Sequence, residues 1–272
     1  MQGEKLIQMK DSMFTVLDEA TEKDFFSIIE FNSDVRFWNP LDGFGSKNPD
    51  KYFQANSDNK KLAIKSVLEL RAAGGTNINE AVLKAIEHGK EARIFEDFPE
   101  NAKTMIVFLT DGEASEGVQN PELIIENIEN ANKESKIAIM TIGFGAGSDF
   151  DLLKKISQSN NGIAKRIYEG ADAALQLENF FTKISNPVLS NVKFDYVGAE
   201  VEEESLSERK VGTWFKGSEY IIVGQLNDVN KKEDDNGLIT ITIDAKGAEG
   251  HYHQSFDICL RFEIEYLQKQ FV

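Results

Sequence analysis

Two short segments carry residue types that suit a hard divalent cation. Gly74-Gly75-Thr76-Asn77 leads into a helical pattern, and Thr110-Asp111-Gly112-Glu113 closes a wholly apolar run. Thr76 offers a hydroxyl and Asp111 a carboxylate, the oxygen ligands that Mg²⁺ or Ca²⁺ takes. Each also has a plainer reading: Thr76 helps to cap the following helix, and Asp111-Gly112 is an ordinary turn after a strand. His251 and His253, in a Gly-flanked stretch, read as exposed loop residues or as a weak metal pair, and His88 falls inside a helical pattern. Groups for covalent catalysis are missing. There is no Gly-x-Ser-x-Gly nucleophile elbow, and the one cysteine, Cys259, sits in an alternating run and reads as a small buried hydrophobe. Gly143-Phe144-Gly145-Ala146-Gly147 lacks the Lys-Ser/Thr of a phosphate loop and reads as a plain loop. The chain is not expected to be an enzyme.

The elements that must position these residues alternate. Leu6, Met9, Met13, Val16 and Leu17 recur at spacings of three and four, so the chain opens in a helix. Phe25 to Phe31 and Val35-Arg36-Phe37-Trp38 read as a hairpin ended by Pro40, residues 41–58 as a surface loop, and about Lys60 to Ala72 as a helix. Ile78, Ala81, Val82, Ala85, Ile86 and Gly89 form one helical face, with Asn77 and Glu80 at capping-box spacing. Met105-Ile106-Val107-Phe108-Leu109 predicts a strand buried on both faces. Helices over about 121–134 and 149–158 lead to strands at Ile137–Ile142 and Ile163–Tyr168. Leu177, Phe180, Phe181 and Ile184 mark a last helix before Pro187. Such alternation predicts a doubly wound, mostly parallel sheet whose ligands meet the loops at the carboxyl ends of its strands.

After residue 190 the period falls to two. Val192–Tyr196, Tyr220–Gly224, Leu238–Ile243 and Phe256–Ile264 read as strands, with a turn at Asp234-Asp235-Asn236-Gly237. The expected organisation is therefore an α/β domain over residues 1–187 and a β-rich, incomplete region over 188–272.

Composition excludes several classes. Acidic residues outnumber basic ones 46 to 30, the formal charge is −16, and no basic stripe is present, so nucleic acid is not an expected partner. The same charge opposes loose binding of polyanionic glycans unless a metal or a covalent bond intervenes. No apolar run approaches the ~20 residues of a membrane span, and the first residues carry no signal-peptide core.

The segments Gly74 to Ala81 and Phe108 to Glu113, with their spacing, closely resemble von Willebrand factor A domains. Gly143-Phe144-Gly145, Asp149-Phe150 through Leu153, Asn161 through Glu169, Gln176-Leu177, Ile184-Ser185-Asn186-Pro187 and Phe215-Lys216-Gly217-Ser218-Glu219 resemble the inter-alpha-trypsin inhibitor heavy chain family. The resemblance covers essentially the whole chain and is strongest over 74–187. It implies a metal-ion-dependent adhesion site to which Thr76 and Asp111 supply two ligands. The Asp-x-Ser-x-Ser segment that follows the family's first, central strand is not found, so the chain reads as truncated at both ends, with a remnant site and an unstable sheet. Mg²⁺ or Ca²⁺ is then expected in an intact parent protein, with no tight binding by this chain. The resemblance further implies a secreted, extracellular-matrix protein that associates with hyaluronan and a Kunitz-type protease inhibitor. It also implies a protein ligand at the top face of the A domain. In the family the glycan is esterified to a C-terminal Asp, which does not occur at Gln270-Phe271-Val272. The alternative is a stand-alone A-domain scaffold for protein interactions, without a glycan role.

Overall fold

The computed structural model describes residues 1, 3–46, 52–91, 103–168, 170, 172–184, 187–197, 202–207, 210–215, 220–225, 238–247 and 250–259. The chain divides into two compact units, Met1–Thr182 and Lys183–Val272.

In the first unit, helices α1 (Glu4–Glu19), α2 (Ser57–Glu69), α3 (Ile78–Glu91), α4 (Pro121–Asn132) and α5 (Phe150–Ser159) alternate with strands. Helix α6 (Ala173–Ile184) runs across the division into the second unit. The helix starts are written in the sequence. Asn56, Asn120 and Asp149 each accept backbone N–H groups of the first turn, and Pro121 opens α4, where a missing N–H costs nothing. Strands β6 (Met105–Thr110), β7 (Ala138–Phe144) and β8 (Ala164–Ile167) form a parallel sheet in the order β6-β7-β8. Strand β7 is buried from Ile139 to Phe144, as its unbroken apolar run requires. Ile139 meets Val82 and Ile86 of α3, Ile124 and Ile128 of α4 and Leu153 of α5 in one core. The fold is the doubly wound α/β type expected.

The antiparallel part departs from the expected hairpin. The run Phe25 to Phe31 splits into β1 (Phe25–Phe26) and β2 (Ile29–Phe31), separated by Ser27-Ile28. Strand β2 pairs with β3 (Val35–Asn39), which pairs with β4 (Gly43–Ser46), while β1 pairs with β5 (Phe53–Gln54). Both β4 and β5 lie in the stretch read as a loop, because each is too short and too rich in Gly or polar residues to show a period of two. Helix α2 starts at Ser57 and ends at Glu69, about a turn earlier than expected.

Among the described residues β2 and β6 are edges of separate sheets. Phe31 of β2 and Phe108 of β6 stack between these two sheets, with ring centroids 5.0 Å apart. Strand β6 was expected to be buried on both faces, yet Met105, Ile106, Val107 and Leu109 keep partial exposure. Its apolar side chains have β7 on one side only. Among the described residues no strand pairs with both β2 and β6.

The second unit is an antiparallel sheet in the order β10-β9-β11-β12, made of β9 (Pro187–Val197), β10 (Lys210–Phe215), β11 (Leu238–Gly247) and β12 (Gly250–Cys259). Val192, Phe194 and Ala245 centre its apolar face, which Trp214, Tyr220 and Tyr252 complete. Residues one step out of register point the other way, giving a polar face with Thr240–Asp257 and Lys193–Asp195 pairs. Strand β10 escaped the sequence reading. Tyr220–Gly224, expected as a strand, is extended but joins no ladder: Tyr220 and Ile222 pack on the apolar face, and Val223 exchanges hydrogen bonds with Ser207 instead. The turn expected at 234–237 and the strand residues beyond Cys259 lie outside the described residues, as does the Cys259 side chain.

Candidate functional site

At the carboxyl ends of the parallel strands three loops meet. The first holds Thr76, just before α3. The Asn77 side chain caps that helix, accepting the Glu80 N–H at 3.3 Å, while its amide donates to the Glu80 carboxylate at 2.8 Å. The capping-box spacing is thus used, although the Asn77 backbone N–H goes to the Asn32 carbonyl at 2.9 Å. Capping by Asn77 leaves the Thr76 hydroxyl free of the role that the plainer reading gave it.

Thr76 is fixed through its backbone. Its N–H donates to Ser115 Oγ at 2.9 Å, and its carbonyl accepts from the N–H groups of Ser115 and Glu116 at 3.0 and 3.3 Å. Gly75 donates to Ser33 Oγ at 2.9 Å, and Ser33 in turn donates to Glu116 Oε1 at 3.3 Å. A Cβ at Gly75 would stand 2.2 Å from Glu116 Cγ, so any larger residue there displaces the Glu116 side chain. Ser33, Ser115 and Glu116 were not recognised from the sequence. No local pattern marks them, since residues 33, 75 and 116 meet only through the fold.

Asp111 follows β6. Thr110 is buried and its hydroxyl accepts the Gly112 N–H at 3.3 Å, which fixes the turn that presents Asp111. Gly112 brings this turn onto the first loop: a Cβ there would lie 3.5 Å from Thr76 Oγ1. The third loop, Gly145 to Ser148, packs against the same turn, with Gly147 within 3.1 Å of the Asp111 carbonyl if it bore a Cβ. The glycines after β7 therefore serve close packing.

The structure thus brings the loops of Thr76 and Asp111 together. Against the roughly six to eight oxygen ligands of Ca²⁺, one hydroxyl and one carboxylate are too few. Among the described residues no group of three or more His, Cys, Asp or Glu is arranged as a metal cage.

The histidines separate sharply. His88 is 2% exposed, stacked on Tyr52 at 4.4 Å and edge-on to Phe37 at 5.3 Å. Neither ring nitrogen has a hydrogen-bond partner, and burial pulls its pKa down to about 4, so it is neutral. His251 and His253, expected in a loop, belong to strand β12, which is in register with β11 up to Gly247↔Gly250.

The comparisons agree with this architecture. The von Willebrand factor type A domain model matches residues 1–183. The chain is 34% identical over 228 residues to inter alpha-trypsin inhibitor, heavy chain 4, of Mus musculus, covering 84% of this chain and 23% of that protein. Inter-alpha-trypsin inhibitor heavy chain H3 of Homo sapiens is 32% identical over 228 residues, 84% of this chain and 24% of that protein. The chain thus spans about a quarter of the length of these relatives. A von Willebrand factor type A structure from Catenulispora acidiphila has a TM-score of 0.63 at 16% identity, covering 93% of this chain and 61% of that one. The matched domain, the parallel sheet and the loop cluster together place the chain in the von Willebrand factor type A domain family, as an inter-alpha-trypsin inhibitor heavy chain-like member.

Proposed function

We propose that the chain is part of an extracellular, non-enzymatic binding protein that works as inter-alpha-trypsin inhibitor heavy chains do. In this reading the A domain, over 1–187, meets a protein ligand at the loop end that carries Thr76 and Asp111, and the β-rich region over 188–272 follows it. The protein is held in hyaluronan-rich matrix and associates with a Kunitz-type protease inhibitor. The observation that carries the reading is the similarity to heavy chains across 84% of the chain, on both sides of residue 187. No helix among the described residues is long and apolar enough to cross a membrane, which is compatible with a matrix protein.

The charge of −16 bears on how a polyanionic glycan would be held. Repulsion between like charges disfavours non-covalent capture, so a covalent link is the consistent route. A direct test is an antibody to residues 1–187 applied to matrix extracts of the source tissue. The reading predicts a high-mass species that hyaluronidase or mild alkali converts to a smaller one. A species found only inside cells and unchanged by either treatment would overturn it.

Thr76 and Asp111 are proposed as two ligands of a site that this chain does not complete. Titration with Mg²⁺ or Ca²⁺ is expected to show weak binding, and saturation at micromolar concentration would contradict that.

A further inference from the structure

The polar face of the second unit holds a cluster unrelated to the loops of the A domain. Asp244 on β11 stands opposite His253 on β12, and His251 lies two residues back along β12, on the same face. His253 Nδ1 is 2.9 Å and His251 Nε2 3.4 Å from the same oxygen, Asp244 Oδ1. The other cross-strand polar pairs of this face, Thr240 with Asp257 and Thr242 with Ser255, engage one partner each. Here, among the described residues, two imidazoles converge on one carboxylate oxygen.

We propose that Asp244, His251 and His253 form a surface site for a borderline divalent metal such as Zn²⁺. Two neutral imidazoles and a carboxylate are a ligand set that suits Zn²⁺, Cu²⁺ or Ni²⁺ rather than the hard ions Mg²⁺ and Ca²⁺. Bonds of about 2.0–2.1 Å at tetrahedral angles place neighbouring donor atoms about 3.3 Å apart. The His251 to Asp244 separation of 3.4 Å already has that value, and the 2.9 Å hydrogen bond from His253 must open by a few tenths of an ångström. Without metal the cluster is closed by that hydrogen bond, so no cage is formed in advance. The side chains are free to make the change, being 65%, 59% and 37% exposed for His251, His253 and Asp244. Water is at hand for the fourth position. Lys246 stands directly opposite His251 on this face, and Lys193, opposite Asp244 on β9, is itself held by both oxygens of Asp195 at 2.7 and 2.8 Å, which limits its repulsion of a metal. The hairpin fixes the backbone positions of the three residues: β11 and β12 pair without a break from Leu238↔Cys259 to Gly247↔Gly250.

The test is calorimetric titration of the 272-residue chain with Zn²⁺ alone, followed by NMR of the three histidine rings. One Zn²⁺ is expected to bind in the micromolar range, shifting the rings of His251 and His253 while buried His88 stays in place. Asp244→Asn or His251→Asn should weaken binding by ~10-fold or more, the loss that removing even an outer partner of a metal ligand brings. The Thr76→Ala/Asp111→Asn variant should bind Zn²⁺ as the parent does, which separates this site from the A-domain loops. The His251→Asn/His253→Asn chain should melt, without metal, where the parent melts. Unchanged Zn²⁺ affinity in that double variant would overturn the proposal, as would still histidine resonances at millimolar Zn²⁺.

Discussion

The two ends of strand β7 are built on opposite principles. At its amino end, Asn132 closes α4 onto the sheet: its side chain donates to the Ile137 carbonyl at 2.7 Å and to Asn160 Oδ1 at 2.8 Å, and accepts the Ile137 N–H at 2.9 Å. Asn132 and Asn160 are both 3% exposed, and every one of these polar groups is satisfied inside the protein. At the carboxyl end, Thr76 and Asp111 keep partial exposure, and their side chains take no part in such a network. One end closes its polar groups into a buried network and the other leaves them partly open to solvent. The two ends lie about 20 Å apart along the sheet, given ~3.3 Å per residue.

The largest effect that this contrast predicts is at Gly162. A Cβ there would stand 1.9 Å from the Ile139 carbonyl oxygen, a backbone atom of fully buried β7 that cannot swing aside. Gly162→Ala should cost about 5 kcal/mol, at the limit for single substitutions, as read by urea unfolding. Asn132→Ala should come next. It strands the Ile137 N–H and carbonyl away from water, for about 4 kcal/mol at roughly 2 per group, and Asn132→Asp should recover little of it.

His88 gives a conditional loss. Its pKa in the folded chain is about 4, below the ordinary 6.5, so the folded state refuses a proton that the unfolded chain accepts. The stability contributed is complete above pH 6.5 and is lost as pH falls toward 4, amounting to about 3 kcal/mol. Comparing the parent with His88→Leu isolates the effect. The variant should match or exceed the parent at pH 5, since two unpartnered ring nitrogens are removed. A parallel loss in both proteins would assign the pH dependence to other groups.

Much of this was legible in the sequence because it is local. Apolar runs marked β6 and β7, the spacing of Ile78, Val82 and Ile86 marked α3, and Asn77 with Glu80 marked its start. Thr76 and Asp111 could be singled out because glycines and a strand end flank them. Features that depend on distant partners were hidden. Whether β6 is covered on one side or two is decided by what pairs with it, and Ser33, Ser115 and Glu116 acquire a role only when three loops meet. His251 and His253 were misplaced for a similar reason: neighbouring glycines suggested a loop, whereas ten register pairs with β11 make the segment a strand.

The smallest predicted effect bears most directly on the separation of the two ends. The Thr76→Ala/Asp111→Asn variant should unfold within about 1 kcal/mol of the parent in urea at pH 7, because both side chains keep partial exposure and join no buried network. A loss comparable to that of Asn132→Ala would contradict the account, showing that the carboxyl end of the sheet is part of what holds the domain together.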